Sequence, residues 1–126
     1  MKFTNQELQN SFTAMQTLGS MPFKASVAFL VGKAMDKLEA CAQTFDNARK
    51  KLVEDYAERD DKGEMVLHPG TNNAVVNDTA GFLKDFNDLL AEETDEITFT
   101  PIKIERLGDV EIPPAVLNTL KWLIVE

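Results

Sequence analysis

Apolar side chains recur at Val27, Val31, Ala34, Leu38, Cys41, Phe45, Ala48 and Leu52, at spacings that alternate four and three. This is the seven-residue repeat of a coiled-coil seam, which keeps one face of a helix on its neighbours. No proline interrupts the stretch. It predicts one helix from Pro22 or Phe23, where proline suits a first turn, to about Arg59. At 1.5 Å per residue that rod is roughly 50 Å long, more than the width of a domain of 126 residues. It must project, or be covered in sequence by other elements.

The stripe changes width along the rod. Ala28, Leu30 and Met35 broaden it in the first half. From Thr44 onward Asp46, Arg49, Lys50, Lys51, Glu54, Asp55 and Glu58 crowd both flanks. A wide stripe needs two neighbours and a narrow one needs a single neighbour. The first half therefore belongs to the core and the second half to a two-helix arm. One short helix and a C-terminal helix leave the broad stripe partly uncovered, so self-association through Val27, Leu30, Val31 and Ala34 is expected.

The remaining elements follow from local chemistry. Phe3-Thr4-Asn5-Gln6-Glu7-Leu8 carries a capping box and a hydrophobic staple, the start signal of a helix. Leu8, Phe12, Met15 and Leu18 continue it to about residue 18, before Gly19. Its other face (Gln6, Gln9, Asn10, Thr13, Gln16) is polar but uncharged: a solvated face, or a surface that meets a protein partner without fixed charge. Asp60-Asp61-Lys62-Gly63 and Pro69-Gly70 are turns by composition, with a short strand from Glu64 to His68 between them. Asn72 to Ala91 reads as a third helix through Val76, Ala80, Leu83, Phe86 and Leu90. Gly81 inside it marks either a close helix crossing or a later start capped by Asn77 or Asp78. Ile97 to Thr100 and Ile102 to Ile104 alternate as strands around Pro101, with Val110 to Ile112 as a hairpin partner. Pro113-Pro114 opens a final helix through Val116, Leu120 and Leu123, and Trp122 is expected to be at least half buried. The expected fold is α+β and mainly helical, one domain over residues 1–126. A short N-terminal helix precedes a long antiparallel helical hairpin over about 4–92, and a small C-terminal β-hairpin with a terminal helix fills about 95–126.

Composition narrows the chemistry. The chain has one cysteine, one histidine and a net charge of −8. One cysteine makes no intrachain disulfide, and one histidine removes most zinc sites and every scheme that needs two imidazoles. Cys41 lies in the apolar seam and reads as a packing residue rather than a nucleophile. Asp60, Asp61 and Glu64 near Gly63 invite comparison with a calcium loop, but that register puts Pro69 where the bidentate glutamate belongs. His68 reads as a turn residue. No phosphate-binding glycine loop or nucleophile elbow is present. No catalytic residue, metal or cofactor is expected. The one basic run, Arg49-Lys50-Lys51, is flanked by acids that pair with it on a helix, so nucleic acid is not an expected partner. The longest unbroken apolar run is Val27 to Val31, far short of the roughly 20 residues of a membrane span. The N-terminus lacks the layout of a signal peptide.

Asp85, Asp88, Glu92, Glu93, Asp95 and Glu96 gather within twelve residues. Negative charge at a helix C-terminus opposes the helix dipole. The cluster is a solubilising end, or an anionic patch for a basic protein surface, with mimicry of a nucleic-acid backbone as the extreme case.

The order of several short stretches resembles a family of small uncharacterised bacteriophage and prophage proteins. They are Lys2-Phe3-Thr4-Asn5-Gln6-Glu7-Leu8, Ala48 to Tyr56 leading to Asp60-Asp61-Lys62-Gly63, Phe86-Asn87-Asp88-Leu89-Leu90, and Ile102 to Pro113. Asn72 to Thr79 departs from that order, as a local insertion would. The resemblance implies a phage origin and carries over no catalytic residues. It leaves two expectations, each with a protein partner. One is a non-enzymatic virion or assembly component, in the host cytoplasm during infection and in the particle. The other is a soluble inhibitor of a bacterial defence protein, acting through the acidic end.

Overall fold

The computed structural model describes residues 1–126 and is mainly helical. Helix α1 spans Asn5–Gly19. The capping box forms as the sequence dictates: the Glu7 amide donates to Thr4 Oγ1 (3.1 Å) and the Thr4 amide to Glu7 Oε1 (3.0 Å). Helix α2 runs unbroken over Ala25–Tyr56, 32 residues, or roughly 48 Å. It ends three residues before the expected Arg59, because Ala57 turns extended and the Tyr56 carbonyl accepts from the Asn77 amide (2.9 Å).

Helix α3 covers Thr79–Ala91, not Asn72 to Ala91. Asp78 is its N-cap and accepts from the Gly81 amide (3.1 Å). A Cβ on Gly81 would lie 2.3 Å from the Asp78 carboxylate. Gly81 therefore marks a late helix start and not a helix crossing.

Residues 57–76, between α2 and α3, fold into a compact tip. The Glu58 amide donates to the Val75 carbonyl, Val75 to Val66, and Val66 back to Glu58, each within 2.7–2.8 Å. This ring of three bonds ties three segments together. Residues 64–68 are paired on both sides, through bridges Arg59 to Met65 and Leu67 to Ala74.

The C-terminal region departs from the expected β-hairpin. Strand β1 (Ile102–Lys103) pairs in parallel with β2 (Ile124–Val125), in register Ile102 with Ile124. Ile104–Leu107 form a 3₁₀ turn, Gly108 takes φ 67°, and Val110 to Ile112 join no ladder. Parallel strands need a crossover, and helix α4 (Pro114–Thr119) supplies it. Ile97 to Thr100 form no strand either; residues 92–97 lie against residues 1–5 instead. Asn5 donates to Glu92, Thr94 to Phe3 and Ile97 to Met1 along the two backbones (2.7–2.9 Å).

The core lies at one end. Its 15 clustered residues come from Phe3, α1, the first half of α2 and the segment from Ile102 to Ile124. Val27, Val31 and Ala34 are buried there under the chain's own elements, and Leu30 packs against them half-buried. The short elements thus cover most of the broad stripe. Ala28 stays exposed. Trp122 is half-buried, edge-on to Phe3 (5.3 Å between ring centres) and tilted on Phe99 (4.5 Å). No helix is long and apolar enough to cross a membrane.

Candidate functional site

Two of the six acidic residues are paired within the chain. Asp85 faces α2, where its carboxylate accepts from the Tyr56 hydroxyl (2.5 Å). That bond, with burial and the nearby Asp78 and Asp55 charges behind it, raises the Tyr56 pKa above its ordinary value. Glu96 accepts from the N-terminal ammonium, and its carboxyl is held below the usual range by that bond. Both are structural pairs.

Asp88, Glu92, Glu93 and Asp95 remain exposed and line one shallow depression at the end of α3, beside Lys2. The backbone pairing of residues 92–97 with residues 1–5 fixes this segment in place. The α3 end is itself relieved, because the Asn5 side-chain amide donates to the Leu89 carbonyl (2.8 Å). With the Glu92 amide (3.2 Å), that donor satisfies a terminal carbonyl that faces the neighbouring acids.

A second surface lies along the arm. Phe12 of α1, Phe45 of α2, and Phe86 and Leu90 of α3 floor a groove of about 520 Å³, with Gln6 and Gln9 on its rim. Arg49 lines both this groove and a second one of about 480 Å³ toward the tip, where Val53, Met65, Val76 and Phe82 converge. The two form one trough. The Arg49 guanidinium is held on Asp46 (2.8 Å), and Lys50 pairs with the same carboxylate (3.1 Å). These bonds keep Asp46 ionised below its ordinary pKa.

The sequence signals for the trough are the uncharged face of α1 and the aromatic residues of α3. Their convergence depends on how the three helices pack and is not readable from spacing. The other singled-out residues have local roles. Asp60 accepts from the Lys62 and Glu64 amides (2.9 and 3.0 Å), which makes it a turn residue. His68 is exposed in a turn, its amide bonded to the Asn73 carbonyl (2.8 Å). Cys41 is half-buried, and burial followed by the Asp95 charge pushes its thiol pKa up, away from the reactive thiolate. No protein-family model matches the chain, and no curated protein or solved structure is found similar to it.

Proposed function

We propose that the protein is a non-enzymatic bacteriophage component that works through protein–protein contacts, as a virion or assembly accessory. The α2–α3 pair is the antiparallel helical hairpin that supplies those contacts. One observation carries this reading: no residue of α3 is fully buried, although Phe82, Leu83, Phe86, Leu89 and Leu90 make up five of its 13 residues. A helix with such an apolar stripe is normally covered on it. Here α2 and α1 cover only part of it, and Leu83 stays 51% exposed. Mass spectrometry of purified particles tests the reading. A fixed stoichiometric number of copies supports it, and presence only in infected cells overturns it.

The exposed carboxylates of Asp88, Glu92, Glu93 and Asp95 favour a second reading, a soluble inhibitor that docks a basic surface of a bacterial defence protein. They line one depression, while Asp85 and Glu96 are each paired with another group of the chain. Supplying the gene in trans and measuring survival of a defence-sensitive phage tests it. Unchanged survival ends that reading.

A further inference from the structure

We infer that the trough between α2 and α3 is where a second copy of this chain docks, the arms of two copies packing as a four-helix bundle about a two-fold axis. The inference rests on the reading of the arm as a contact surface and names its occupant.

Area is the first argument. The chain exposes 8246 Å², whereas a compact monomer of 14.1 kDa exposes about 6,700 Å². The excess is about 1,500 Å², against the roughly 800 Å² that each partner buries in a stable interface. The arm holds few of the buried residues, since 15 of the 18 belong to the core cluster at the other end.

Shape is the second. The lining residues Glu39, Ala42, Asp46, Arg49 and Val53 follow one side of α2 at spacings of three and four. That side is about 20 Å long, the length of the 13-residue α3. Leu83, Phe86 and Leu90 form one stripe of α3 at spacings of three and four, and Leu83 is 51% exposed. A two-fold contact brings a patch onto its own copy. The α3 stripe of each chain then lies in the trough of the other, and the lengths match.

Charge is the third. Two chains of −8 repel, so a self-contact needs a face without net charge. The α3 stripe has none, and α1 presents Gln6 and Gln9. On α2, Glu39, Asp46 and Glu54 are nearly balanced by Arg49 and Lys50. The exposed acids Asp88, Glu92, Glu93 and Asp95 line a different depression.

Sedimentation and light scattering of the full chain across a concentration series test the proposal. A dimer of twice the chain mass is expected at tens of micromolar. Leu83→Glu should raise the dissociation constant at least tenfold, because it buries two carboxylates per dimer. Gln6→Glu should raise it a few-fold, and as an acid in the first turn of α1 it suits the helix dipole, so this variant decides the matter if Leu83→Glu does not fold. Phe29→Glu, at a position 66% exposed on the face of α2 away from the core, should leave the dimer unchanged. A strict monomer at several hundred micromolar, or a dimer indifferent to both Leu83→Glu and Gln6→Glu, overturns the proposal. A strict monomer that is nevertheless present in fixed copies in particles would overturn the dimer and leave the proposed function standing.

Discussion

The two halves of α2 carry the same repeat and end in different environments. Val27, Val31, Ala34 and Leu38 are buried beneath α1 and the C-terminal segment; beyond them Phe45 alone is buried, and Cys41, Ala48 and Leu52 stay half-buried. Periodicity fixes which face of a helix turns inward, but the number of neighbours decides how much of that face leaves water. At one end α1 and the C-terminal segment enclose the helix, and at the other α3 covers a single flank.

The sharpest test of the difference is a matched truncation. Leu38 is fully buried, and Leu38→Ala should cost about 2–5 kcal/mol in denaturant unfolding. Leu52→Ala, on the half-buried stretch, should cost only about 1 kcal/mol. Amides in the second half of α2 should also exchange with solvent faster than those around Val31. Equal losses from the two truncations would mean that the arm is as firmly packed as the core.

The same contrast explains what was legible in the residues. Helix α1 was readable because its capping box needs only Thr4 and Glu7, and α2 because its repeat persists over many turns. The start of α3 was half-readable: Gly81 announced it, but Asn72 to Val76 also carry apolar residues that serve the tip. The β1–β2 pair was not readable, since it joins Ile102 to Ile124 across a 3₁₀ turn and a helix. Val110 to Ile112 alternate like a strand, yet Pro113 and Pro114 follow at once and remove two amide donors. The acidic residues were visible by composition. That Asp85 would be diverted to Tyr56, and Glu96 to the chain start, depends on contacts 29 and 95 residues apart.

A smaller effect belongs to the core end. Thr4→Ala removes the acceptor of the Glu7 amide and leaves an unpaired helix donor. The expected loss is about 1 kcal/mol, read as a lower denaturant midpoint with an unchanged slope. Because Thr4 also bridges Glu93, the loss should be accompanied by faster exchange at Thr94. Unchanged exchange there would show that α1 and the acidic segment are held independently.

Gly32 tests the outer face of α2. It is exposed in the helix interior, and a Cβ there would meet nothing within 4 Å. Gly32→Ala should therefore stabilise the chain, by up to about 1 kcal/mol. A loss instead of a gain in thermal unfolding would mean that this face is covered, so that the core end has a neighbour of its own.

The smallest effect separates the two ends by pH. Tyr56 is the sole tyrosine and Trp122 the sole tryptophan, so tyrosinate absorbance reports on the arm and indole fluorescence on the core. The Tyr56 hydroxyl donates to Asp85, and the folded chain holds that proton more tightly than the unfolded chain does. A group whose pKa is raised by folding stabilises the fold fully below its unfolded value, near 10 for tyrosine, and loses that contribution as pH rises through the folded value. The arm should therefore loosen above about pH 10 before the Trp122 environment responds. Tyr56→Phe should be less stable than the parent at neutral pH, and the gap should close as the parent's phenol ionises. A Tyr56 that titrates in the native chain at the ordinary tyrosine value would show that the bond to Asp85 does not hold the arm together in solution. The arm would then depend on its apolar flank alone, which strengthens the case that a second chain completes it.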